Sequence, residues 1–177
     1  MRHDCDPTTE EERGPVVGDH LVTNPDVVAT RCITIEASPD DVFPWIRQMG
    51  FGRAGWYSHD WIDNLGRRSA DHIHDEWQDV DTGSAVPGGP IAFTAAIVEP
   101  PRAFVLQVGD ATRRLNFTLA YELREIHDGS HTRLVTRMRA TTPGGRLVGR
   151  GLLGPGDGVM VRKQLRTLAR RAGLTPS

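Results

Sequence analysis

Three side chains between positions 57 and 72 could carry out proton transfer. Tyr57 provides a phenol, Asp60 a carboxyl group and His72 an imidazole, and these groups serve as general acids and bases in enzymes. An apolar pocket around Asp60 would suit its carboxyl group to that role, whereas a solvated or capping carboxylate would have no such role. Both interpretations of Asp60 are open from the sequence, so proton transfer by these three residues is a hypothesis.

Aromatic residues lie among these polar groups. The pattern predicts a short helix over 56–65, and such a helix would place Tyr57 and Trp61, four positions apart, on one face. These side chains either pack the helix onto a sheet or line the entrance of a pocket. Tyr and Trp suit an entrance because each combines apolar area with one directed hydrogen bond.

Other site chemistries fit the sequence less well. The histidines and acids between His59 and Glu76 lack the spacing of a zinc or EF-hand site, so we expect no metal and no cofactor. Ser58, His59 and Asp60 are adjacent, which is unsuited to a catalytic triad. The glycine-rich segments 87–90 and 149–156 lack a phosphate-loop motif, and we interpret the first as a turn and the second as a turn and hinge.

The elements that must position these residues follow from periodicity. A strand is predicted near 28–36, and Ser38 and Pro39 then begin a short helix that we expect to end at Gly50. Apolar alternation predicts strands over 91–98, 103–108, 115–123 and 131–140. The Asp128-Gly129 pair is typical of a hairpin turn, and the short connections require antiparallel pairing. A final amphipathic helix begins at Asp157 and ends at Gly173. This order predicts an α+β fold.

Composition limits the partners. The net charge of -2 favours neither nucleic acid nor anionic lipid in general, and no apolar run is long enough for stable membrane insertion. We therefore expect a cytoplasmic protein, a monomer or homodimer, with a flexible tail over 1–15 and one domain over 16–177. The two cysteines form no disulfide framework. We expect two groups of arginines to lie on solvated outer faces: Arg137 and Arg139 on a strand, and Arg162, Arg166 and Arg170 on the last helix. The arginines of the last helix could instead attract anionic lipid headgroups or the phosphopantetheine of a carrier protein.

Four segments together resemble a known superfamily. They are the first strand running into residues 37–46 (ASPDDVFPWI), then 52–61 (GRAGWYSHDW), 69–78 (SADHIHDEWQ) and 160–165 (MVRKQL). In these segments, over about residues 28–172, the chain resembles the START-like superfamily (SRPBCC). That group is also called polyketide cyclase/dehydrase-like or Bet v 1-like, and the resemblance is to a bacterial branch of it.

The resemblance implies a helix-grip fold, in which a curved antiparallel sheet wraps a long C-terminal helix and two short helices follow the first strand. It also implies an apolar cavity between sheet and helix. The residues expected to line this cavity are Trp45, Trp56, Tyr57, Trp61, Phe93, Phe117, Leu119, Tyr121, Met160 and Gln164.

Three functions fit this picture. The first is a carrier or sensor for a small hydrophobic molecule such as a lipid or polyketide. The second is a polyketide cyclase or aromatase without a cofactor, using Tyr57, Asp60 and His72 for proton transfer. The third is a protein-interaction module. Members of one fold carry out unrelated functions, so the sequence does not decide whether the protein is an enzyme.

Overall fold

The protein is an α+β sandwich of one sheet and one long helix. The computed structural model describes residues 5–110, 115–143 and 145–173. Its helices are α1 (Thr9–Arg13), α2 (Pro39–Arg47), α3 (Asp60–Asp63) and α4 (Gly145–Ala172). Its strands are β1 (Val27–Ile35), β2 (Ala85–Pro87), β3 (Ala92–Glu99), β4 (Ala103–Gly109), β5 (Asn116–Ile126) and β6 (His131–Thr141).

The six strands form one antiparallel sheet in the order β1-β6-β5-β4-β3-β2. The β5–β6 hairpin turns through Asp128 and Gly129, both with positive φ, as the sequence predicted for this pair. The first and last strands are neighbours, and β1 pairs with β6 along all nine of its residues. The α+β class and the antiparallel pairing are therefore confirmed, and the short edge strand β2 is an addition to the predicted set.

The sheet has a helix-side face, which packs against α2 and α4, and an outer face. On β5 the alternation is regular: Tyr121 and Leu123 lie in the core beneath α4, whereas Ala120 belongs to a separate cluster on the outer face. The predicted apolar face of α4 is also confirmed, because Leu165 and Leu168 are fully buried against the sheet. Removing this face from water provides the main driving force for the two-layer arrangement.

Helix α2 begins as its sequence requires. The Ser38 hydroxyl accepts a hydrogen bond from the Asp41 amide, and Pro39 occupies the first turn. The helix ends at Arg47, three residues before the expected Gly50, and Gln48 is its C-cap. Pro44 lies inside the helix.

The second short helix is shorter than predicted. Only Asp60–Asp63 are helical, and Tyr57 lies outside the helix with a φ of 57°. A right-handed helix cannot include that backbone conformation, so the expected shared face of Tyr57 and Trp61 does not form. Tyr57 is buried, whereas the side chain of Trp61 is 74% exposed.

The C-terminal helix is longer than predicted. It begins at Gly145 rather than at Asp157, so the segment 149–156 is helical and the interpretation as a turn and hinge is wrong. Glycine lowers helix propensity by about 1 kcal/mol relative to alanine, which weakens a helix without forbidding it. Local propensity was therefore a poor guide to where this helix begins.

The N-terminal segment is packed against the domain, which differs from the expected flexible tail. Residues 1–4 lie outside the described residues. From Cys5 onward, the chain follows the edge of β1, where the Cys5 carbonyl accepts a bond from the Cys32 amide. Helix α1 has a full capping box between Thr8 and Glu11, and Val16 packs into the cluster on the outer face. Cys5 and Cys32 are buried and are not joined in a disulfide, and burial raises the pKa of Cys32 to about 12.

Arginines on the outer face of the sheet hold this segment. Arg137 is 3% exposed rather than external as expected, and all five of its N–H groups are bonded. Its partners are Thr30 Oγ1, Asp19 Oδ2 and the carbonyls of Glu11, Glu12 and Gly14. Arg139 is half-buried and donates to the Val22 carbonyl. A polar strand face thus becomes interior because the N-terminal segment covers it and supplies acceptors.

Arg133 makes a bidentate ion pair with Glu11, at 2.6 and 2.9 Å. The pair lowers the pKa of Glu11 to about 2, chiefly through hydrogen bonding to Arg133. Because the folded pKa lies below the unfolded one, this carboxylate stabilises the fold above about pH 4.5. That contribution is lost as the pH falls towards 2.

We expect Glu11→Gln to lower the free energy of unfolding by about 2 kcal/mol near neutral pH, because it removes the charge that pairs with Arg133. The difference from the unmodified protein should shrink as the pH falls from about 4.5 towards 2. Urea unfolding across this pH range measures both effects. The matched control is Glu12→Gln, whose exposed side chain should tolerate the change. Equal stability of the Glu11 and Glu12 variants near neutral pH would contradict this role for the ion pair.

Candidate functional site

The helix-side face of the sheet is closed at one end and partly open at the other. Around Leu123, Leu134 and Ile35 the side chains are fully or almost fully buried. Towards the start of β5, Phe117 and Leu119 are only half-buried although they lie on the same face. Phe93 on β3 is also half-buried and lies 6.2 Å from Phe117 between ring centroids. These side chains form an apolar surface that the described residues cover incompletely.

Trp56 and Gln164 border this surface. The Trp56 ring lies 5.5 Å from the Phe93 ring in an edge contact. The Gln164 amide, on α4, donates to the Trp56 carbonyl at 2.9 Å and accepts from the Tyr121 hydroxyl at 3.0 Å. One buried amide therefore joins α4, the central strand β5 and the loop before α3.

A second buried amide, Gln48, organises the loop that carries the polar candidates. Its Nε2 donates to the Tyr57 hydroxyl oxygen at 2.6 Å and to the His72 carbonyl at 3.2 Å. Its Oε1 accepts from the His74 amide at 3.0 Å. Sequence reasoning missed Gln48. The available signal was a polar residue at the end of a helix whose other face is apolar.

Tyr57 is a buried, neutral phenol. It is 1% exposed, and burial raises its pKa well above the usual value for tyrosine. Its backbone amide donates to Ser69 Oγ at 3.1 Å, which helps to hold the left-handed conformation. A phenol in this state can donate a hydrogen bond near neutral pH but cannot act as a base.

One buried hydrogen-bond donor in this part of the core has no partner among the described residues. It is the indole N–H of Trp45, which is 2% exposed. Beside it, the Tyr57 hydroxyl oxygen accepts from Gln48 Nε2, and the hydroxyl group also carries a proton that it can donate. The two rings are in edge contact at 6.0 Å between centroids, so both donors lie in one region. Unsatisfied buried donors are rare in proteins, and each one costs about 1–3 kcal/mol.

The other two proton-transfer candidates lie in different surroundings. Asp60 is half-buried, and its Oδ1 accepts from Ser69 Oγ at 2.5 Å. The His72 side chain is 67% exposed, and its Nδ1 lies 3.0 Å from Asp71 at the surface. Ser69 links Asp60 to the backbone of Tyr57, whereas only the carbonyl of His72 reaches the Tyr57–Gln48 pair. The structure therefore does not gather the three side chains into one cluster.

The predicted pocket residues divide between core and surface. Trp45, Trp56, Tyr57, Tyr121 and Gln164 are buried, while Phe93, Phe117, Leu119 and Met160 are half-buried and Trp61 is exposed. The described residues contain no group of three or more His, Cys, Asp or Glu side chains that could hold a metal ion.

Several solved structures are similar to this chain at low sequence identity. A protein of Rhodobacter sphaeroides superposes with a TM-score of 0.51 at 10% identity, over 82% of this chain and 91% of that one. CalU16 from Micromonospora echinospora superposes with a TM-score of 0.48 at 16% identity, over 85% of this chain and 68% of that one. The Polyketide_cyc-like protein Cgl2372 from Corynebacterium glutamicum superposes with a TM-score of 0.38 at 18% identity, over 83% of each chain.

No protein-family model and no curated protein matches the sequence. At these identities, the structural likeness shows the fold and not the activity. The likeness to the Rhodobacter sphaeroides protein supports the predicted architecture, a six-stranded antiparallel sheet with a C-terminal helix.

We expect Gln48→Leu to lower the free energy of unfolding by about 3 kcal/mol, because one buried and two partly buried polar groups would lose their partner. The control is Gln78→Leu, which removes one half-buried bond to the Pro44 carbonyl and should cost less than about 1 kcal/mol. Urea unfolding measures both variants. A similar decrease in the free energy of unfolding in the two variants would show that Gln48 does not organise the loop.

Proposed function

We propose that this protein binds a small, mainly apolar molecule that carries a hydrogen-bond acceptor, such as a carbonyl oxygen. The ligand would lie on the helix-side face of the sheet, against the half-buried Phe93, Phe117 and Leu119. The protein would serve as a carrier or sensor. The apolar surface provides affinity, and the polar groups at its border orient the ligand.

The unpartnered indole N–H of Trp45 is the observation that carries this proposal. The buried amides of Gln48 and Gln164 are both bonded, so the unpartnered Trp45 donor in the same core favours a partner that the protein alone does not supply. The neighbouring Tyr57 hydroxyl offers a second donor to the same region. One oxygen atom has two lone pairs and can accept from both groups.

A water molecule could satisfy the same donors in the absence of ligand. An apolar ligand with a carbonyl group would replace that water without loss of hydrogen bonds, whereas a plain hydrocarbon would leave the donors unpaired. The proposed site therefore discriminates by the acceptor rather than by apolar contact alone. This difference gives the proposal its test.

We expect methyl octyl ketone to bind about tenfold more tightly than decane, because one additional hydrogen bond contributes about 1 kcal/mol or slightly more. Tyr57→Phe should reduce this preference without changing the affinity for decane. Displacement of the dye anilinonaphthalenesulfonate measures both affinities. Tyr121→Phe is the matched control and should keep the preference, because the Tyr121 hydroxyl already bonds to Gln164. Equal affinity for ketone and alkane in the unmodified protein would overturn the proposal.

A cyclase-type enzyme is the second candidate, and the Ser69 contact favours considering it. Through Ser69, the Asp60 carboxylate is linked to the backbone of Tyr57, whose neutral phenol could polarise a substrate carbonyl. Asp60 would then remove a proton from the carbon next to that carbonyl, as an aldol closure requires. His72 has no part in this version.

The two candidates differ in proton exchange at carbon. An enzyme of this type would accelerate deuterium uptake at the acidic carbon of an alkyl β-diketone in heavy water, and Asp60→Asn would abolish the acceleration. We expect the carrier to leave the exchange rate unchanged while binding the diketone. Proton NMR follows the exchange. A rate of deuterium uptake that the protein raises and that depends on Asp60 would overturn the carrier proposal in favour of the enzyme.

A further inference from the structure

Large apolar side chains are exposed where α3 lies beside α4. Trp61 is 74% exposed, Ile62 49%, Leu65 77% and Val159 62%, and we call these residues the apolar patch. Two contacts bring the elements together here: Ser58 Oγ donates to the Met160 carbonyl at 3.1 Å, and Lys163 Nζ lies 3.3 Å from His59 Nδ1. The patch therefore combines side chains from two elements at one end of the domain.

A basic groove begins at the same place. It has a volume of about 640 Å³ and includes Val159 of the apolar patch. The other residues that line it are His59, Arg162, Lys163, Arg166, Thr167 and Arg170. None of these described lining residues is acidic, although Asp6 pairs with Arg162 from outside the groove at 3.1 Å.

The spacing of the cations gives the groove a direction. Arg162, Arg166 and Arg170 recur every four residues, so they follow one face of α4 over about 12 Å at 1.5 Å per residue. A row of separate cations of this length matches several monovalent anions side by side better than one compact anion. The net charge of the whole chain is -2, so this positive row is a local feature.

Exposed tryptophan and aliphatic side chains next to arginine and lysine are typical of surfaces that bind at a bilayer interface. The apolar side chains enter the boundary between headgroups and acyl chains, and the cations contact anionic headgroups. A second copy of this chain is a poor occupant, because a two-fold contact through this surface would bring the two basic rows together. The pattern therefore favours an anionic lipid surface.

We propose that the apolar patch and the basic groove dock this protein peripherally on an anionic membrane. Trp61, Ile62 and Leu65 insert to the depth of the headgroups, and Lys163 and Arg170 bind lipid phosphates. Among the described residues, no helix could span a membrane. This docking goes beyond the proposed ligand site and does not depend on it.

Vesicle co-sedimentation tests the docking with the full chain. We expect binding to vesicles of phosphatidylcholine with about one-quarter phosphatidylglycerol, and at least tenfold weaker binding to pure phosphatidylcholine. Raising the salt from about 50 to about 300 mM should weaken the binding to anionic vesicles, because exposed charges are screened. Failure to bind the anionic vesicles at low salt would overturn the proposal.

Two variants separate the apolar from the electrostatic contribution. Trp61→Ser and the double variant Lys163→Glu/Arg170→Glu should each weaken binding at least tenfold, with unchanged circular dichroism. The matched controls are Ile91→Ser, another exposed apolar residue, and Arg102→Glu, an exposed cation on a different part of the surface. Both controls should bind like the unmodified protein.

Two other occupants have distinct results. Binding to soluble heparin that depends on Lys163 and Arg170, together with vesicle binding that is independent of Trp61, would overturn membrane docking in favour of a soluble polyanion. A concentration-dependent dimer that Trp61→Ser abolishes would overturn it in favour of a second copy of the chain. Analytical ultracentrifugation measures the dimer.

Discussion

A six-stranded sheet with one strongly apolar face must bury that face, and in this protein α4 and α2 do so. At one end, Leu165 and Leu168 of α4 are fully buried in the same core as Leu134 of β6. At the other end, Phe117 and Leu119 stay half-buried, although the alternation of β5 gives them the same orientation as Tyr121. The cover is therefore incomplete at this end, and it leaves the surface that we assign to a ligand.

Two buried glutamines attach the loops around this surface to the core. Gln164 joins α4 to Tyr121 and Trp56, and Gln48 joins α2 to Tyr57 and to the backbone at His72 and His74. An amide suits this role because it both donates and accepts, and because it carries no charge that burial would penalise. These bonds hold polar groups beside an apolar surface at little risk of ionisation.

The outer face of the sheet is also partly buried, but the N-terminal segment covers it rather than a long helix. Arginines rather than aliphatic residues fill part of β6 there, and the N-terminal segment supplies carbonyls and carboxylates to them. Arg137 remains buried because each of its N–H groups has an acceptor, which offsets the loss of water. The positive side chains that line the groove on α4 lie beside exposed apolar residues instead, and we propose an anionic lipid surface as their external partner.

The sequence by itself determined the features that depend on near neighbours in the chain. The alternation of β5, the turn at Asp128 and Gly129, the cap at Ser38 and the apolar face of α4 all follow from period, propensity and side-chain chemistry within a few residues. Tertiary structure decided the rest. It separated Tyr57 from Trp61 through a left-handed backbone held by Ser69, made Gln48 a central residue and buried Arg137 under the N-terminal segment. The partners in these cases lie 9 to 126 positions away, and a polar group is equally compatible with water or with any distant acceptor until the chain folds.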